Sequence, residues 1–317
     1  MRHLLSIEDL DRDEIERILS SAAVFAEVAD RAIKKVPSFR GKLVINLFYE
    51  ASTRTRSSFE LAAKRLSADV LNVVSSGSSV EKGESLQDTV ATLSAYGPDA
   101  IVIRSPHAGA PGLVAGWTHA AVVNAGDGKH QHPTQALLDL FVLRQRLGSL
   151  EGRSIWIVGD VLHSRVARSC VQAFIKMGAD VTVAGPPTLV PAELAGLGCN
   201  VRHTLEEIGE ADVIYALRLQ HERMRESFLP SLREYAENYQ IDARRVTARQ
   251  LLMHPGPVNR GVELAGEVID SPQSLIIDQV RAGIVVRMAV LVEVLSGSHA
   301  SDPTAGPVLA TAERQLA

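Results

Sequence analysis

Short β-rich apolar runs alternate with helical periodicities along nearly the whole chain, and that alternation restricts the fold more than any other feature. Residues 42–49 (KLVINLFY) read as a buried strand, after which Phe59, Ala62, Ala63 and Leu66 fall on one helical face. Residues 68–74 form the next strand candidate, 100–103 a third and 120–124 a fourth. Ser85 with Asp88 makes a capping box ahead of a helix carrying Leu86, Val90 and Leu93. An amphipathic helical region at 7–30 precedes them, with Leu10, Ile15, Ile18, Leu19, Ala22 and Phe25 on its apolar side. A long helix opens at Pro133 and stops at Gly148, residues suited to a first helical position and to the place just past an end.

A second alternating set begins at 154–159 (SIWIVG). It continues with a helix at 166–177, strands at 180–184, 212–217 and 251–254, and a long apolar helix at 275–295. Alternation implies βαβ units and parallel sheets covered on both faces. With 317 residues available, the expectation is an α/β protein of two doubly wound parallel-sheet domains joined by long helices. Residues 148–152 (GSLEG) are the best boundary, giving one domain at 1–148, completed by the helix near 275–296, and another at 149–274. Residues 297–317, rich in Ser, Ala, Pro and Gly, read as a flexible tail.

Hydrophobic content of 46% and charged content of 22% are ordinary for a soluble enzyme, and a net charge of −4 gives no reason to expect nucleic acid or an anionic membrane as partner. No stretch reads as a signal peptide or a membrane span. Only Cys170 and Cys199 occur; Cys170, among Val166, Val171 and Phe174, reads as inert core packing. No disulfide framework is expected, and the reducing cytoplasm is the natural compartment.

Against this mildly acidic background, cationic and hydroxyl groups gather where strands end, as they would for a small anionic substrate. Ser52, Thr53, Arg54, Thr55 and Arg56 stand at a strand-to-helix turn, where unpaired N–H groups and the helix dipole favour a phosphate. A hydroxyl before a helix is by itself only an N-cap, so the case rests on further motifs. Arg104 closes the strand at 100–103. His132 stands beside the helix start at Pro133, with Gln135 in the first turn. A neutral imidazole there could polarise a carbonyl oxygen, while Gln135 accepts from an amide. The loop 77–84 offers Ser78 and Lys82. In the second set, Arg165 follows Asp160 and His163 at a helix start, and Arg218 and Gln220 end the strand at 212–217. Two such arginines suit a dicarboxylate. Finally, Pro255-Gly256-Pro257 is a stiff turn able to present backbone carbonyls, or simply a structural bend.

Other chemistries lack their residues. Only one of the three glycines of a dinucleotide fingerprint follows the strand at 154–158, and there is no Walker loop and no Gly-x-Ser-x-Gly elbow. His130 and His132 have a metal-amidohydrolase look, but no further ligand set follows at recognisable spacing; neither metal nor cofactor is expected.

Together, these motifs resemble the aspartate carbamoyltransferases over nearly the whole chain. Lys82, the Arg-x-Gln at 218–220 and the Pro-Gly-Pro turn set it apart from ornithine carbamoyltransferases, which would carry His-Cys-Leu-Pro near the last site. The resemblance implies transfer of the carbamoyl group of carbamoyl phosphate to L-aspartate, an early step of pyrimidine biosynthesis. Ser52, Thr53, Arg54, Thr55 and Arg104 would hold the phosphate. Thr55, Arg104 and His132 would face the carbonyl oxygen, while Gln135 and the backbone around Gly256 and Pro257 would hold the carbamoyl NH₂. Some members carry leucine in place of Gly256, so any contact there runs through the backbone. Arg165, Arg218 and Gln220 would bind the aspartate carboxylates. Ser78 and Lys82 would reach across from a neighbouring subunit of a homotrimer, Lys82 touching both substrates. The reaction would lie in the cleft between the two domains. Assembly with regulatory chains or another pathway enzyme is left open. The alternatives are transfer to another amine such as ornithine, or an anion-binding regulatory subunit that kept the fold.

Overall fold

The structure, a computed structural model, describes residues 1–74, 83–220 and 231–298. The chain forms two compact units, residues 1–137 with the segment from Ala282 onward, and Leu138–Arg281. The division falls inside the helix that opens at Pro133, whereas the composition of the sequence points to 148–152.

In the first unit, α1 (Arg12–Ala29) starts at Asp11, whose carboxylate accepts from the Glu14 N–H at 2.7 Å while the Glu14 side chain accepts from the Asp11 N–H at 3.1 Å. This reciprocal cap satisfies two otherwise orphaned donors and contributes about 1 kcal/mol. Four strands, β1 (Leu43–Phe48), β2 (Asp69–Val74), β3 (Ala100–Ser105) and β4 (Ala121–Asp127), pair in parallel in the order β2-β1-β3-β4. They are linked by α2 (Thr53–Arg65), α3 (Leu86–Ser94) and α4 (Ala110–Trp117). Ile45, Leu47, Ile101, Ile103 and Val122 share a core with Val90, Leu93 and Val114. The β4 edge is covered: the Leu4 N–H donates to the Val122 carbonyl and the Asn124 N–H to the Leu4 carbonyl, each at 2.8 Å.

Helix α4 is absent from the sequence-based expectation. Its N-cap is Gly109 at φ +83°, Pro111 stands in its first turn, and Gly112 and Gly116 interrupt the apolar pattern, so the segment reads as loop.

In the second unit, entered through α5 (Pro133–Leu147), five parallel strands run in the order β7-β6-β5-β8-β9: β5 (Ser154–Val158), β6 (Asp180–Ala184), β7 (Asn200–Arg202), β8 (Val213–Ala216) and β9 (Leu251–Met253). The helices are α6 (Arg165–Lys176), α7 (Leu232–Tyr239), α8 (Gly266–Ile269) and α9 (Ile276–Ser298). Neither β7, three residues long and mostly exposed, nor α7 has a distinct apolar period in the sequence. The expected tail, 297–317, lies outside the described residues beyond Ser298.

Each sheet reverses its direction of growth once. β1 leads to β2 on one side while β3 and β4 lie on the other; β5 leads to β6 and β7 on one side while β8 and β9 lie on the other. Loops leaving the carboxyl ends of two strands at such a reversal diverge and leave a crevice, the usual place for a ligand in an open α/β sheet. Residues 52–56 and Arg104 lie at the first of these reversals and Arg165, Arg218 and Gln220 at the second, while His132 and Gln135 follow β4 and the Pro-Gly-Pro turn follows β9.

Candidate active site

In the first unit the β1–β3 reversal carries the hydroxyl and cationic cluster. Ser52, extended at φ −159°, caps α2, its hydroxyl accepting from the Thr55 N–H at 3.4 Å. The first turn of α2 thus sets the positive end of the helix dipole just past the carboxyl end of β1. Thr53 and Arg54 are exposed on this turn, and Thr55 is buried under it. On the adjacent strand Arg104 pairs in register with Phe48, and its carbonyl accepts from the Tyr49 N–H at 2.9 Å. Its guanidinium donates to Glu50 and to the Ala125 carbonyl, each at 3.2 Å, so this cation is held in one orientation beside the α2 start.

His132 and Gln135 come from the next loop, at the carboxyl end of β4. The loop is shaped by Asp127, whose buried carboxylate accepts from the Asn124 side chain at 2.8 Å, the Gln131 N–H at 3.0 Å and the Gly109 N–H at 2.7 Å. That leaves His132 immediately ahead of α5, buried, with its carbonyl accepting from the Gln135 N–H at 3.0 Å. Ser52, Thr53, Arg54, Thr55, Arg104, His132 and Gln135 therefore all belong to three neighbouring strand ends of one parallel sheet.

In the second unit the β5–β8 reversal carries Arg165, Arg218 and Gln220. Ser164 caps α6 by accepting from the Ala167 N–H at 3.1 Å, and Arg165 is buried at the first helical position. Asp160 ties the two loops together. One of its oxygens accepts from the His163 N–H at 3.2 Å and lies 2.8 Å from His163 Nδ1; the other accepts from the Gln220 N–H at 3.2 Å. Arg218 and Gln220 are half-buried, and Leu219 between them is fully buried, which anchors the segment. Tyr235 of α7 packs nearby; burial pushes its phenol up, and the charges of Glu263 and Asp160 add to the shift.

At the end of β9, His254 leads into Pro255, Gly256 and Pro257. Gly256 has φ +64°, a conformation that favours glycine, and the Gly256–Pro257 peptide is cis. Ser78 and Lys82 lie outside the described residues.

The sequence motifs name the groups that could face a ligand but pass over those that hold them. Glu50 and Asp139 have no motif of their own, and Asp127 is visible only as a residue of the segment leading to His132. Asp160 and His163 are visible only as residues preceding Arg165. Cys170 is more than apolar packing, since its thiol donates to Asp139 at 3.4 Å. Among the described residues no group of three or more His, Cys, Asp or Glu is placed to hold a metal ion, and no helix is long and apolar enough to cross a membrane.

Comparison with known proteins matches two family models across the chain. Residues 2–145 match the carbamoyl-phosphate-binding domain of aspartate/ornithine carbamoyltransferases, and residues 151–294 match their aspartate/ornithine-binding domain. The aspartate carbamoyltransferase catalytic subunit of Acidothermus cellulolyticus is 52% identical, the alignment covering 97% of this chain and 98% of the relative. That of Salinispora arenicola is 54% identical over 94% of this chain and 99% of the relative. Among solved structures, aspartate transcarbamoylase from Trypanosoma cruzi in complex with carbamoyl phosphate and aspartate has a TM-score of 0.82 at 32% identity, covering 92% of this chain and 95% of that one. The catalytic subunit of M. jannaschii aspartate transcarbamoylase has a TM-score of 0.81 at 35% identity, covering 94% of this chain and 99% of that one. Two parallel-sheet units, a phosphate-suited strand end and a pair of arginines at a second reversal thus coincide with full-length similarity, and the chain belongs to the aspartate/ornithine carbamoyltransferase family.

Proposed function

We propose that this chain is an aspartate carbamoyltransferase, moving the carbamoyl group of carbamoyl phosphate to the α-amine of L-aspartate. The observation that carries this reading is the paired arrangement at the sheet reversals. A capped helix start with Arg54 follows the strand paired with that of Arg104 in the first unit, and in the second Arg165 opens the helix after β5, the strand paired with β8, which leads to Arg218 and Gln220. The first suits a phosphate and the second a dicarboxylate. The first unit is then the carbamoyl-phosphate-binding domain and the second the aspartate-binding domain.

In this reading Ser52, Thr53, Arg54, Thr55 and Arg104 hold the phosphate group. Thr55, Arg104 and His132 donate to the carbonyl oxygen, while Gln135 and the carbonyls of the Gly256–Pro257 turn accept from the carbamoyl NH₂. Arg165, Arg218 and Gln220 take the two carboxylates of aspartate. The amine nitrogen attacks the carbamoyl carbon, charge grows on the carbonyl oxygen, the bond to the phosphate oxygen breaks, and the departing phosphate accepts the amine proton. Phosphate leaves readily, so the protein's contribution is orientation and a fixed set of donors around the developing charge. Ser78 and Lys82 complete the site from the neighbouring chain of a homotrimer in the cytoplasm.

Phosphate release from carbamoyl phosphate, measured with aspartate and then with ornithine, tests the reading. Turnover with aspartate alone is expected. Turnover with ornithine alone would reassign the amine site, and none with either would leave an anion-binding protein.

A further inference from the structure

Behind the His254–Pro257 turn the second unit holds a connected series of buried polar side chains that the reaction does not touch. Asp139 on α5 accepts from the Tyr215 hydroxyl on β8 at 2.8 Å, from the Cys170 thiol on α6, and from Gln279 Nε2 on α9 at 2.7 Å. Gln279 Oε1 in turn accepts from the His254 N–H at 3.0 Å. His254 Nδ1 accepts from the Gly256 N–H at 2.8 Å, and its Nε2 lies 3.3 Å from Glu263, whose Oε1 also accepts from the Asn259 N–H at 2.6 Å. Asp139, Tyr215, Gln279, His254 and Glu263 are each no more than 3% exposed.

Every link orients the next. A carboxylate that accepts from three donors requires Gln279 to present its NH₂ to Asp139, which leaves its carbonyl oxygen for the His254 N–H. Burial, reinforced by the charge of Asp139, pushes the Cys170 thiol and the Tyr215 phenol up, so both remain donors. Acceptance at Nδ1 puts the His254 ring proton on Nε2, the nitrogen 3.3 Å from Glu263. The Gly256 N–H is thereby held by the ring of His254, whose own backbone N–H is held by Gln279.

We infer that Asp139 and Gln279 are positioning residues for the carbamoyl group, acting through His254 to aim the carbonyls of the 256–257 turn. The inference rests on the proposed role of that turn in holding the carbamoyl NH₂.

Donor–acceptor reversal tests it. Gln279→Glu sets a second carboxylate against Asp139. Asp139→Asn combined with Gln279→Glu restores the pattern, because the introduced amide donates to the introduced carboxylate, whose other oxygen still accepts from His254. Gln279→Glu should weaken carbamoyl phosphate about tenfold and lower kcat about a hundredfold through misorientation. Competitive inhibition by inorganic phosphate, which meets only the Ser52–Thr55 cluster and Arg104, should stay unchanged. The double variant should return both parameters to within about threefold of wild type. If Gln279→Glu does not fold, Gln279→Leu, which removes the acceptor for the His254 N–H, is measured in its place with the same expectation. A folded double variant as impaired as the single one, or equal losses for inorganic phosphate and carbamoyl phosphate, would overturn the inference while leaving the functional reading intact. A wild-type chain that does not carbamoylate aspartate would overturn both.

Discussion

Asp160→Asn separates the bracing of the second unit's site from its charge. The wild-type carboxylate uses one oxygen for the backbone and ring of His163 and the other for the Gln220 N–H, and it is fully buried. The variant keeps an oxygen for only one of these loops and turns an NH₂ toward a donor on the other. The buried His163 retains the oxygen, because its N–H and Nδ1–H have no route to water, whereas the half-buried Gln220 N–H does. One charge-assisted hydrogen bond is then lost, roughly 1.5–3 kcal/mol. Solvent access at Gln220 places the cost near the lower end, about 2 kcal/mol with the weakened His163 contact included. The same detachment loosens the segment bearing Arg218, so the KM for aspartate should rise about tenfold, equivalent to about 1.4 kcal/mol. Urea unfolding and steady-state kinetics with each substrate varied in turn measure both effects. Carbamoyl phosphate should keep its KM within about twofold, since the cluster proposed to hold its phosphate lies on the other sheet. An Asp160→Asn protein that loses the stability but keeps the wild-type KM for aspartate would refute the reasoning, because Asp160 would then brace the fold without shaping the site.

Arg54→Ala should lower kcat about a hundredfold while the fold survives, since Arg54 is exposed and a contact to the leaving phosphate gains most as charge develops; an unchanged kcat would remove it from the site. Arg218→Ala should raise the KM for aspartate strongly with carbamoyl phosphate binding intact, and equal losses for both substrates would make it structural. Mixed and reassembled Lys82→Ala and Arg54→Ala chains should recover about a quarter of full activity. In the proposed trimer each shared site would need one intact residue from each of two randomly drawn chains, half times half; no recovery after verified exchange would put both residues in one chain's site. Cys170 and Cys199 are both buried with thiols pushed up by burial, so at pH 8 the native protein should resist alkylation at both positions and take up two labels only when unfolded, as read by mass spectrometry.

Apart from β7 and α7, the strands and capped helices were legible in the sequence because each combines a local period with a local stop: β1 between Lys42 and the Ser52 cap, α5 between Pro133 and Gly148. Helix α4 was not, because Gly112 and Gly116 dilute the apolar period and nothing in its first turn caps with a side chain. The candidate site divides the same way. Arginines, hydroxyls and His132 at strand ends are visible one motif at a time, since parallel strands bring all their carboxyl ends to one edge. The groups that hold them are not visible in that way. Glu50 meets Arg104 across 54 positions and Asp139 meets Gln279 across 140, and a buried carboxylate on a helix looks the same in sequence whether it braces a site or faces solvent.

The first unit is discontinuous in sequence, and this gives its assembly an order. Its core lacks the portion of α9 from Ala282 until all of Leu138–Arg281 has been made, and that portion supplies Glu293, which accepts from Arg17 Nε at 2.8 Å, and Arg287, stacked 5.0 Å above the Phe59 ring. During synthesis the second unit has its entire sequence available before the first does, so the growing chain passes through a biosynthetic intermediate whose second unit is complete in sequence while the first still lacks its portion of α9. In that intermediate Phe59 and the neighbouring face of α2 lack their cover, just behind the turn proposed to hold phosphate. A nascent chain stalled before Ala282 should therefore protect the β5–β8 region from protease while leaving the Ser52–Thr55 helix accessible.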